Sequence, residues 1–122
     1  MKAVLVVDDS RIMRNIVKNT FSLLKIPCRF IEAANGRDAL KQLEEQVINL
    51  VLLDWNMPEP SGLDFLKKVR GMDKYKNLPV IMVTSESAKF NVIEALDAGA
   101  TDYIVKPVNE KIFMQKITKI AF

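Results

Sequence analysis

Five short runs of Val, Ile and Leu, each followed by a stretch with apolar residues every three or four positions, leave this chain few folds. The runs cover residues 3–7, 28–33, 51–54, 80–84 and 103–105. Continuous apolar runs this short suit strands buried on both faces of a sheet. Between them, Met13, Val17, Thr20 and Leu24 fall on one helical face, and Leu40, Leu43 and Val47 on a second. Leu63, Leu66 and Val69 form a third, and Phe113, Ile117 and Ile120 close the chain. Strands that alternate with helices join in parallel through crossovers, which lays helices over both faces of the sheet. Right-handed crossovers then leave few topologies. The expectation is a doubly wound α/β fold with five parallel strands and five helices. At 122 residues the chain suits one domain spanning residues 1–122.

Local signals agree. Ser10 reads as the N-cap of the first helix, and Ser61, followed by Asp64, as an approximate capping box. Gly71 and Gly99 stand where helices should stop, and Asn35-Gly36 reads as a tight turn.

Composition narrows function by exclusion. The chain has no histidine, so it cannot supply an imidazole base, a phosphohistidine or an imidazole metal ligand of its own. Its one cysteine, Cys28, rules out an internal disulfide and a Cys-rich zinc site; it reads as a buried small hydrophobe and fits a cytoplasmic location. The net charge of +3 is spread along the chain rather than gathered in a patch, which argues against a nucleic-acid surface. A bilayer span needs about 20 apolar residues, far more than any run here, so no membrane insertion is expected.

In parallel α/β sheets, ligands sit outside the carboxyl ends of the strands. The residues just past each run therefore belong together: Asp8 and Asp9, Asp54, Thr84 and Lys106. Three carboxylates in one crevice repel one another and call for a counter-charge. A hard divalent cation such as Mg²⁺ supplies one, and Lys106 a second, suited as a point donor to a phosphoryl oxygen. With the Thr84 hydroxyl, these are the parts that stabilise a transferring phosphoryl group. A carboxylate can itself be the nucleophile, and Asp54, ending the central run, is the best placed.

These residues carry a resemblance to bacterial two-component response-regulator receiver domains, of the single-domain, chemotaxis CheY-like type. The stretch LVLLDWNMPEPSG (50–62) resembles the phosphoacceptor segment, with Gly62 eight residues past Asp54; VIMVTSE (80–86) resembles the switch strand; AGATDYIVKP (98–107) resembles the final signature. The resemblance covers essentially the whole chain, from VLVVDDS (4–10) to Phe122. It implies the strand order 2-1-3-4-5, an order that CheY itself exemplifies. It implies that Asp54 takes a phosphoryl group from a sensor histidine kinase, with Mg²⁺ held by Asp9, Asp54 and the backbone carbonyl of Asn56, and by Asp8 mainly through water. Thr84 and Lys106 would meet the phosphoryl oxygens. Tyr103 would turn inward behind Thr84 and alter the face of helix 4, strand 5 and helix 5, and Lys106-Pro107 would be cis. Asn56 and Glu86 would tune loss of the phosphoryl group, toward a short lifetime.

The resemblance also implies a cytoplasmic monomer whose output partner is a flagellar motor switch protein or another output protein. It would be no enzyme beyond its own phosphorylation and autodephosphorylation. Two other readings compete. One is the N-terminal receiver of a larger transcriptional or output regulator. The other is an aspartate-nucleophile phosphohydrolase, disfavoured because Asn56 stands where such enzymes carry an acidic proton donor. A nucleotide-binding domain is disfavoured by the absence of both glycine-rich phosphate motifs. Pro60 departs from the family pattern, where an apolar residue is usual, and its fixed φ stiffens the loop beside Asp54.

Overall fold

The computed structural model describes residues 1–58, 60–85 and 89–120. Strands and helices alternate: β1 (Lys2–Val7), α1 (Arg11–Ser22), β2 (Cys28–Ala33), α2 (Gly36–Glu45), β3 (Leu50–Asp54), α3 (Gly62–Arg70), a 3₁₀ turn (Asp73–Tyr75), β4 (Val80–Thr84), α4 (Lys89–Asp97), β5 (Asp102–Val105) and α5 (Glu110–Thr118). All strand pairs are parallel, in the order β2-β1-β3-β4-β5. Every residue of β3 and β4 is buried, as unbroken apolar runs in a covered sheet require. The register sets Val7 beside Leu53, Asp54 beside Val83 and Thr84 beside Val105, so the strand ends reach one rim together.

The sheet divides the core in two. On one face α2, α3 and α4 contribute Ala39, Leu43, Phe65, Leu66, Val69 and Ala95. On the other, Val17 and Phe21 of α1 meet Phe113 and Ile117 of α5. Phe21 holds this second layer together, with edge-on contacts to Phe30 at 5.6 Å and Phe113 at 5.8 Å between ring centroids. Burying one such ring stabilises by roughly 3 kcal/mol. The expected α1 face had Thr20 where Phe21 does the packing; the Thr20 hydroxyl instead donates back to the Ile16 carbonyl.

Caps account for the helix starts. Ser10, Ser61 and Asn109 each accept a backbone N–H three residues on, from Met13, Asp64 and Ile112. Asn35 does the same for Asp38, so Asn35-Gly36 opens α2 and is not a free-standing tight turn. The α2 face also ends early. Gln46 is extended, the helix stops at Glu45, and Val47 is 79% exposed rather than packed. Gly71 caps α3 in an ordinary right-handed conformation. Gly99, after α4, has φ +107°, and a Cβ there would lie 2.8 Å from Arg70 Cγ. Arg70 donates to the Gly99 and Tyr75 carbonyls, both at 2.8 Å, and so ties the α4–β5 turn to the end of α3. Cys28 is half-buried rather than buried, and burial raises its thiol pKa.

Glu32, on edge strand β2, accepts from Lys18 Nζ at 3.0 Å and Arg14 Nε at 2.9 Å. The Lys18 hydrogen bond, aided by the Arg14 one, holds its carboxyl below the ordinary range against the opposing effect of burial. A lowered folded pKa contributes stability above the unfolded pKa that is lost as pH falls through the folded one. NMR titration should therefore place Glu32 below a free glutamate, and Lys18→Ala should raise it. Exposed pairs contribute roughly 0–1 kcal/mol, so unfolding midpoints at neutral pH should barely move.

Candidate functional site

Asp8, Asp54 and Thr84 are each the first polar group reached along a buried apolar run. Asp8 follows β1 and is 4% exposed; Asp54 ends β3 at 3%, and Thr84 ends β4 at 3%. Lys106 directly follows β5 and is joined to Pro107 by a cis peptide bond. The structure brings together the residues expected there. Lys106 Nζ bridges Asp54 Oδ1 at 3.0 Å and Asp8 Oδ2 at 3.2 Å. The other Asp8 oxygen accepts the Ser10 N–H at 2.9 Å, and the Asp8 backbone carbonyl accepts from Arg14 Nη1 at 2.6 Å. Both hold the β1–α1 turn against the site.

The charges are in tension. Burial pushes the Asp54 carboxyl above its ordinary value; Lys106 opposes this, Asp8 adds to it, and a hydrogen bond from the Asn56 backbone lowers it slightly. Burial alone would lower Lys106, but its bond to Asp54 and the charges of Asp54 and Asp8 outweigh that, and its pKa is raised. One ammonium thus faces two buried carboxylates.

Asp9 adds a third carboxylate. Its oxygen and those of Asp8 and Asp54 lie within 4.8 Å of one another, with Asp9 exposed on the solvent side. The donors are all hard carboxylate oxygens, and their negative charge exceeds that of Lys106, so the set fits a hard divalent cation entering past Asp9. The Asn56 side-chain amide reaches Ser85 Oγ at 3.2 Å, linking the β3 and β4 loops. Glu86 lies outside the described residues.

Three features were not legible in the sequence. Gly62, at the start of α3, donates its N–H to the Trp55 carbonyl at 3.1 Å, and a Cβ there would lie 1.9 Å from the Asp54 backbone oxygen. The spacing to Asp54 marked the position; the packing reason needs the fold. Trp55, Met82, Thr84, Val92 and Tyr103 line a tight seam between α4 and the sheet. Lys116 of α5 reaches Tyr103 from the opposite layer, with Nζ 4.3 Å from the ring centroid.

Residues 4–118 match the family model of the response regulator receiver domain. Chemotaxis protein CheY1 of Helicobacter pylori is 46% identical over 114 residues, 93% of this chain and 91% of that protein. A crystal structure of chemotaxis protein CheY4 of Vibrio cholerae aligns with a TM-score of 0.87 at 32% identity, covering 98% of each chain. The Mn(2+)-bound form of response regulator Rcp1 aligns at 0.80 with 25% identity, over 98% of this chain and 91% of that one. Among the described residues, no helix is long and apolar enough to cross a membrane.

Proposed function

Because this chain belongs to the response-regulator receiver family, we propose that it is a chemotaxis-type phosphorylation switch in which Asp54 accepts a phosphoryl group from a sensor histidine kinase. One observation carries the reading: a buried aspartate at the end of the central strand, bridged at 3.0 Å by an ammonium that also holds Asp8. An Asp54 carboxylate oxygen attacks the phosphorus of the kinase's phosphohistidine. The O–P bond forms as the P–N bond breaks, and the electron pair leaves with the imidazole. Lys106 moves from carboxylate to phosphoryl oxygen, and Thr84 donates its hydroxyl to another.

Asp8, Asp9 and Asp54, with the Asn56 backbone carbonyl, would hold Mg²⁺, which supplies further charge neutralisation at the phosphoryl oxygens. Support for a divalent site comes from the carboxylate cluster and from Mn(2+) in the related Rcp1. Asn56 and Glu86 set the lifetime of the phosphorylated form, which is short. The phosphorylated protein, a cytoplasmic monomer, turns Tyr103 inward and presents its α4–β5–α5 face to a flagellar motor switch protein. The likeness to chemotaxis proteins over nine-tenths of their length favours this output. The chain is not an enzyme beyond its own phosphorylation and dephosphorylation. Asn56, its amide directed at Ser85, has no acidic proton to transfer and retrieve as a phosphohydrolase would need.

Intact mass after incubation with a small phosphodonor and Mg²⁺ tests the assignment. One phosphoryl group is expected on the wild type, and none on Asp54→Asn or with a chelator. Labelling that survives in the mutant, or many turnovers on a phosphate ester, would overturn it.

A further inference from the structure

We propose that Lys116 is the positioning residue that holds Tyr103 in its outward state, an inference that rests on the receiver reading above. The Asp102 carboxylate oxygen Oδ1 accepts two hydrogen bonds, from the Tyr103 N–H at 2.8 Å and from Lys116 Nζ at 2.9 Å. One oxygen thereby fixes the ammonium relative to the strand that carries the ring. The ammonium then lies 4.3 Å from the Tyr103 ring centroid, within the range of attraction to the ring's negative face. Lys116 and Asp102 side chains are 22% and 26% exposed, so water screens this arrangement only in part.

An inward turn takes the ring toward Thr84. Tyr103 sits beside Met82 in the sheet register, on the same face as Thr84, and all three line the tight seam against α4. A ring turned toward Thr84 leaves the ammonium behind, since Lys116 belongs to α5 in the other layer. The outward state therefore has an attraction that the inward state lacks, and phosphorylation works against it. Removing the cation should shift the inward-to-outward ratio about fivefold toward inward before any phosphorylation.

The chain has two tyrosines, Tyr75 and Tyr103, so ring-labelled protein gives two sets of ring signals. Tyr75, buried and donating to the Leu43 carbonyl, reports that each variant is folded. The readout is the NOE from the Tyr103 ring to the Thr84 and Val92 methyl groups, without and with phosphodonor and Mg²⁺. In unphosphorylated Lys116→Met these NOEs should strengthen toward the phosphorylated wild-type level. Lys116→Arg, which keeps the cation and the ion pair, should match the wild type. If labelling strengthens the NOEs in the wild type but unphosphorylated Lys116→Met stays unchanged, the proposal falls and the receiver reading stands. If the wild type is labelled and Tyr103 does not move, the proposal falls with the switch role of Tyr103. If the wild type takes no label, both fall.

Discussion

Gly62→Ala is expected to destabilise the protein by about 3 kcal/mol and to slow phosphorylation of Asp54 at least roughly tenfold. The added methyl would meet the Asp54 carbonyl oxygen at 1.9 Å, with the Asp54 carbonyl carbon and Trp55 Cα each at 2.9 Å. A Cβ has no rotamer to escape into, and all three obstacles are backbone. Either α3 moves away, breaking the Gly62 N–H bond to the Trp55 carbonyl, or the end of β3 moves and takes the acceptor with it. The two responses are separable. Urea unfolding reports the total cost, and the rate of mass gain with a phosphodonor reports how far Asp54 shifts. A variant with wild-type values in both would refute the packing argument.

Lys106→Met should have the second largest effect. The substitution keeps the apolar stem and removes the charge, leaving Asp8 and Asp54, 4% and 3% exposed, facing each other without their bridging cation. Stranding buried charges in this way costs about 3 kcal/mol in divalent-free buffer. Asp54→Asn alone should be neutral or stabilising there, because it removes a charge that burial disfavours. Asp54→Asn with Lys106→Met should therefore lose less than Lys106→Met alone. Denaturation of the four proteins gives the coupling directly, and strictly additive losses would show that the bridge carries no energy. Phosphorylation of Lys106→Met should fall about tenfold to a hundredfold, since a preset donor to the phosphoryl oxygens is gone.

What could be read beforehand follows from how the fold encodes itself. In a covered parallel sheet the strands are the apolar runs, so β2 and β4 had the expected bounds and the other three extended only by single residues. The rim residues were legible for the same reason: a strand end is where an unbroken run first meets a polar residue. Side-chain details were less so. Asn before Gly suits both a turn and a helix N-cap, and only the accepted Asp38 N–H decides between them. Val47 kept the helical period past the point where Gln46 had already left the helix. Gly62 against Asp54, Arg70 against Gly99 and Lys116 against Tyr103 join distant parts of the chain, and no local pattern carries them.

Among the described residues, strand β5 has a hydrogen-bonded neighbour, β4, on one side only. At that margin the two helical layers are separated by a single strand, narrow enough for a lysine on α5 to touch a ring facing α4. A protein lying along this border would rest on both layers at once. It could register one ring's change of place without the sheet deforming, so the cores on either side can stay rigid while the border carries the message.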